Sequence, residues 1–280
     1  MKRAWRNTAI SAAIASLALG LSPLWAQKVK SQKELQAITA VQVAATPDDR
    51  VKAIENVLTN FADTEFKMAL LQMAVQSEEQ KRDYAQTIFY LERMLKEDPK
   101  NAFALITIST ETAQHTREND LDKDVQLKKV EAWAKDGIEA AKIMPKVPAT
   151  ESDDDLAKDR KDMQAEGYLA LGMADFLRKD FQGAANNYKQ SLSVAATPNP
   201  ATYVRLGQAY MAVGKLDDAN YTLDKAINAP EAPPQVKTVA QNLKNEIAKH
   251  RPAAPAAPPA SPAAPASAPP ASSAPPAAGH

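Results

Sequence analysis

From residue 31 to residue 249 the apolar residues recur every third or fourth position, the period that gathers them on one face of a helix, and no segment alternates as a strand would. The pattern predicts an all-α fold. Polar punctuation divides it into short elements. Ser31 with Glu34 reads as a capping box, and Thr46 with Pro47 and Asp49 as a helix start. Asp98-Pro99-Lys100-Asn101 reads as a stop followed by a new N-cap, and further breaks fall at 145–155, Lys179-Asp180, 198–200, Gly214-Lys215 and 230–234. Eleven helices are predicted, over 31–43, 47–61, 64–78, 80–97, 102–116, 121–144, 155–178, 181–195, 200–213, 216–228 and 233–249.

Two of these helix pairs repeat each other. In YLALGMADFLRKDFQGAANNYKQS, Tyr168, Leu171, Gly172, Ala184, Tyr188 and Ser191 stand 35 residues before Tyr203, Leu206, Gly207, Ala219, Leu223 and Ala226. Tyr210 adds a second aromatic to the later unit. Each residue type has a physical task. Glycine in the first helix and alanine at the start of the second remove side chains where the two helices meet, while Tyr188 and Leu223 fill the space against the next unit. A pair this small cannot bury its apolar face alone, so neighbouring pairs must stack.

These residues resemble the tetratricopeptide repeat, which runs aromatic, two residues, Leu-Gly, two residues, Tyr, then Ala, three residues, Phe, with a proline near the end. Residues 200–230 fit best, with Leu223 in the phenylalanine place; residues 165–198 fit with Asp175 in the place of the second tyrosine. Residues 80–101, with Tyr84, Leu91, Met94 and Asp98-Pro99, resemble the second half of a unit. Residues 121–145 end in similar style behind a longer loop, and 31–61 could form a fifth, degenerate unit. The resemblance implies a right-handed superhelical solenoid of helix hairpins over 27–249, whose first helices line a concave groove for a peptide or another protein. It places Leu169, Met173, Phe176, Val204, Gln208 and Met211 on that groove. These are mostly apolar, unlike the lysines and asparagines with which some family members hold chaperone C-termini. An apolar or amphipathic segment is the expected ligand. The helix over 233–249 is expected to cap the last unit, with Lys244, Asn245 and Lys249 meeting water.

The ends of the chain read differently. Lys2, Arg3 and Arg6 precede an apolar run from Ala9 to about Leu21, then Ser22, Pro23 and Ala26, which is the grammar of a signal peptide over 1–26. The expectation is export to a bacterial periplasm or cell envelope, with an uncleaved inner-membrane anchor as the alternative. Residues 250–280 hold ten of the twenty prolines among small side chains, and are expected to be a disordered, polyproline-biased spacer. The full chain carries 34 basic and 34 acidic residues; removal of Lys2, Arg3 and Arg6 leaves 31 against 34, a net of 3 negative. A balance of that sign gives no field for nucleic acid. With no cysteine, disulfides, thiolate metal sites and a cysteine nucleophile are excluded.

Little suggests catalysis. His115, His250 and His280 are isolated from one another, and no phosphate-cradling glycine loop or GxSxG elbow occurs. Asp120, Asp122, Asp124 and Glu131 have the spacing of a calcium loop, but Val125 stands where its turn requires glycine. These acids, like Glu151 and Asp153 to Asp155, are better read as helix-start residues. The expected function is therefore a non-catalytic interaction adaptor with no cofactor and no metal. The alternative is an assembly factor that acts through its convex face or by self-association.

Overall fold

The computed structural model describes residues 29–146 and 151–250, without the side chain of His250. The expected leader over 1–26 and the tail beyond 250 lie outside the described residues. Within them every regular element is a helix: α1 (Gln32–Val43), α2 (Pro47–Asn60), α3 (Lys67–Lys81), α4 (Tyr84–Glu97), α5 (Ala102–His115), α6 (Lys123–Lys142), α7 (Asp153–Leu177), α8 (Phe181–Val194), α9 (Pro200–Ala212), α10 (Leu216–Asn228) and α11 (Pro234–His250). Each packs on the next, and the pairing is extensive in the hairpins α3 with α4, α5 with α6, α7 with α8 and α9 with α10. First helices also touch across units, α5 against α7 and α9 against α11. The result is a solenoid of hairpins.

The turns explain the pairing. In three hairpins the chain leaves the first helix through one residue of positive φ: Arg82 at 63°, Lys179 at 66° and Gly214 at 75°. The backbone bonds repeat as well. The amide of each left-handed residue donates to the carbonyl three residues back, and the next amide to the carbonyl five back from itself: Asp83 to Glu78 at 3.0 Å, Asp180 to Asp175 at 2.9 Å, Lys215 to Tyr210 at 2.9 Å. This is a Schellman closure, and it turns the chain directly into the second helix. Asp83 and Asp180 then cap their helices through Gln86 N and Gly183 N.

Here the sequence reading needs correction. The boundary predicted at 78–80 lies instead at Arg82-Asp83, because Arg82 adopts a conformation that glycine usually supplies. Helix α3 consequently runs Lys67–Lys81 and α4 begins at Tyr84. Helix α7 starts two residues earlier than expected, where the Ser152 hydroxyl accepts from Asp155 N. Helix α6 is shorter at both ends than 121–144. The other caps stand where they were read: Thr46 accepts from Asp49 N and Asn101 from Ala104 N. Ser31 accepts from Glu34 N, but Glu34 reaches back to the amide of Lys30 rather than to Ser31.

The core follows the hairpins in successive clusters. Ile38, Ile54, Leu70, Leu71, Tyr90, Leu91 and Met94 fill the first. Leu127, Val130, Leu169, Met173, Tyr188 and Leu206 fill the next, and Val204, Leu223, Val236, Ala240 and Ile247 the last. Between them α5 is buried on nearly every side, from Ala102 through Ala113. Its hydroxyls bond backward within the helix, Ser109 and Thr110 both to the carbonyl of Ile106. The capping helix α11 behaves as expected at Asn245 and Lys249, which are exposed. Lys244 differs: it is half-buried and pairs with Asp224 of α10.

Candidate partner-binding groove

How near the helices of a pair approach sets the shape of the surface they leave. A Cβ built on Gly172 would stand 2.5 Å from two ring atoms of Tyr188, and one on Gly207 2.8 Å from Cδ2 and Cγ of Leu223. Both glycines therefore touch the large residue of the second helix in their own pair, so Tyr188 and Leu223, expected to fill the space against the next unit, close their own pair as well. Ala184, Ala219 and Ala226 are wholly buried, and Tyr168, Leu171, Tyr203 and Tyr210 are half-buried around them. Asp175, in the place of a tyrosine, spans the same pair by accepting from Asn187 Nδ2 of α8 at 2.7 Å. Burial raises its carboxyl above the ordinary range, and the Asn187 bond opposes that rise.

Two depressions lie along the first helices, between α5 and α7 and between α9 and α11. The larger, of about 340 Å³, is lined by Ala113, Gln114 and Thr116 of α5 and its end, Met173, Phe176 and Leu177 of α7, Tyr188 of α8 and Arg205 of α9. The smaller, of about 140 Å³, is lined by Ala201, Val204, Arg205 and Gln208 of α9 and by Val239 of α11. Arg205 belongs to both.

Of the six residues assigned to the groove, four reach it: Met173 and Phe176 line the larger cleft, Val204 and Gln208 the smaller. Met173 and Val204 do so while mostly buried, so they form its floor. Leu169 lines neither. It is 7 % exposed and packs in the cluster with Ala113, Leu127 and Val130, because α7 touches α5 as well as α6 and α8. Met211 also lines neither and is half-buried against the last cluster. Phe176 is held edge-on to Phe181, with ring centroids 5.0 Å apart.

Arg205 escaped the sequence reading. It sits one residue past Val204 on an amphipathic helix, where a cation ordinarily faces water. Its position matters only once α8 is in place: the guanidinium shares the lining of the larger depression with Tyr188, whose pKa burial raises and the Arg205 charge pulls back. Among the described residues no carboxylate forms an ion pair with it, and Asp175, the acid that also acts on Tyr188, is engaged with Asn187 and Arg178.

The acids that resembled a calcium loop do not converge. Asp120 accepts from Arg117 N at 2.7 Å, Asp122 from Gln126 Nε2 at 2.7 Å, and Glu131 faces Lys135 and Arg178. Among the described residues no cluster of three such side chains could hold a metal ion. Asp122 stands at the N-cap of α6 without a side-chain cap bond, so its part there is charge at the helix start. In the second acidic stretch, Ser152 and Asp155 cap α7, Asp153 pairs with Lys146 at 2.6 Å, and Asp162 accepts from the amides of Ala196 and Thr197, tying the α8–α9 loop to α7. His115 stacks on Tyr84 with centroids 4.1 Å apart. Among the described residues no helix is long and apolar enough to cross a membrane.

No protein-family model matches the chain, and no curated protein matches it. Among solved structures it is similar to a thermophilic TPR protein of Thermus thermophilus, at 14 % identity over 76 % of this chain and 95 % of that one, with a TM-score of 0.50. It is also similar to BtubC of P. vanneervenii, at 13 % identity over 89 % and 96 % with a TM-score of 0.45. A third is Acl4, an assembly chaperone of RpL4, at 11 % identity over 79 % and 98 % with a TM-score of 0.40. The first likeness agrees with the turns and glycine contacts: the fold is a tetratricopeptide-like, all-α solenoid.

Proposed function

We propose that this chain is a non-catalytic adaptor that holds a protein or peptide segment along α5, α7, α9 and α11, and that it acts after export to a bacterial cell envelope. One observation carries the first part. The two depressions adjoin at Arg205, which lines both, so an extended or helical segment laid over that side chain would meet each of them. The floor is apolar at Met173, Phe176 and Val204, and the polar groups are Gln114, Thr116, Gln208, Arg205 and the Tyr188 hydroxyl. Such a surface suits gripping rather than bond-making, because among the described residues no nucleophile with a neighbouring base and no set of metal ligands faces it. The sequence of residues 1–26 supports the export part.

A photoreactive amino acid at Gln208, in the smaller cleft, compared with one at exposed Tyr221 on α10, tests the reading in the native envelope. Adducts with a different protein from position 208 alone are expected. Adducts from position 221 alone, joining copies of this chain, would favour the assembly-factor reading instead. Mass spectrometry of the purified envelope protein is expected to find a new N-terminus near Gln27; a chain beginning at Met1 and resisting carbonate extraction would replace export by anchoring.

A further inference from the structure

The groove has apolar floor on both sides of a single guanidinium, and that arrangement limits what can lie in it. Arg205 lines both depressions. Beside it on the lining of the larger cleft stands Tyr188, 2 % exposed and packed against Gly172. A guanidinium carries five donors, and among the described residues this one has no carboxylate partner. A segment laid across this point with only apolar side chains would desolvate a positive charge and return nothing for it. A segment bearing a carboxylate at that point would instead form a two-pronged, charge-assisted pair in a partly dry setting.

Resting on the adaptor reading above, we infer that Arg205 makes the groove selective for a partner segment that carries an internal aspartate or glutamate between two apolar side chains. One apolar side chain enters the cleft of Met173, Phe176 and Leu177; the other enters the cleft of Val204 and Val239, the latter 41 % exposed on α11. The acid meets Arg205 between them. The acid is a side chain within the segment and not a chain terminus, because a depression adjoins Arg205 on either side.

The test is selection of displayed random dodecapeptides on the full chain, on Arg205→Met and on Arg205→Lys, with thermal melts of all three. Binding of the enriched peptides is then measured with acetylated, amidated synthetic copies. The full chain is expected to enrich an internal acid flanked by apolar residues. Replacing that acid by its amide should weaken binding about tenfold or more. Arg205→Met should lose the preference for the acid while still binding apolar peptides, and Arg205→Lys should keep a reduced preference. An acid preference that survives in Arg205→Met, enriched peptides with no acid, or peptides that bind only through a free terminal carboxylate would each overturn the inference and leave the adaptor reading standing. Enrichment only after removal of residues 251–280 would identify the chain's own tail as the occupant and overturn it too. No enrichment at all, with melts intact, would remove both readings.

Discussion

The α9–α10 hairpin and the α5–α6 hairpin both bring two helices close, but they make room from opposite sides. In α9–α10 the first helix supplies the glycine, Gly207, and the second the large residue, Leu223. In α5–α6 the roles are exchanged: a Cβ on Gly137 of the second helix would stand 2.5 Å from Cγ1 of Ile106 on the first, 3.2 Å from Cβ of Leu105 and 3.3 Å from the Ile106 amide nitrogen. What the fold keeps constant is therefore the gap between helices. Which helix contributes the small residue is free, and a residue pattern written for one arrangement is blind to the other.

The comparison can be broken most forcefully by size. Gly207→Leu should lower unfolding free energy by roughly 2–4 kcal/mol through overpacking on Leu223, measured by urea denaturation with m unchanged. Alanine at the same two glycines sharpens it. Gly137→Ala should cost about 2 kcal/mol, because the atoms in the way include a Cβ and a backbone nitrogen that cannot rotate aside. Gly207→Ala should cost less, about 1 kcal/mol, since a change of rotamer can withdraw Cγ and Cδ2 of Leu223 together and alanine favours the helix. Equal costs at the two sites would contradict the exchanged geometry.

The turns allow a gentler test. Lys179 and Gly214 hold the same left-handed place 35 residues apart. Lys179→Gly should stabilise by about 0.5–1 kcal/mol, even though it gives up an exposed pair with Glu118, and Gly214→Ala should destabilise by a similar amount. Smallest is a pH effect confined to the start of α7. Burial, then a hydrogen bond and the charge of Glu151, push the Asp159 carboxyl up to about 6, with Asp162 and Asp155 adding to the same push. A carboxyl whose folded pKa lies above its unfolded value holds its proton more tightly when folded. Its contribution is present below about pH 4 and lost as pH rises through about 6. The chain should thus lose no more than about 1 kcal/mol across that window relative to Asp159→Asn, after screening by solvent. Parallel stability profiles for the two proteins would refute the assignment.

How much of this was legible in the sequence follows from the same contrast. The 35-residue offset exposed Gly172 and Gly207 because both sit in first helices and face large partners at the same interval. Gly214 marked its turn by residue type. Arg82 marks an identical turn but is not glycine, so the α3–α4 boundary was displaced by a few residues. Gly137 was visible as a glycine in a helix, yet its meaning depends on Ile106, which no offset links to it. Of the residues that the resemblance places on the groove, Met173, Phe176, Val204 and Gln208 line the two depressions. Leu169 packs inward instead, since the repeat pattern does not say that α5 covers that turn of α7. Arg205 lines both depressions, and its position beside Tyr188 depends on a different helix.

The central claim is that a glycine and its facing large residue act as one unit in closing each pair. A double-mutant cycle in urea with Gly172→Ala and Tyr188→Leu, which makes this pair resemble Gly207 with Leu223, tests it most directly. The account predicts that Gly172→Ala costs about 2 kcal/mol opposite the rigid tyrosine ring and at least about 1 kcal/mol less in the Tyr188→Leu background. The same cost in both backgrounds would mean that the two residues do not share a contact, and the closure described here would be wrong.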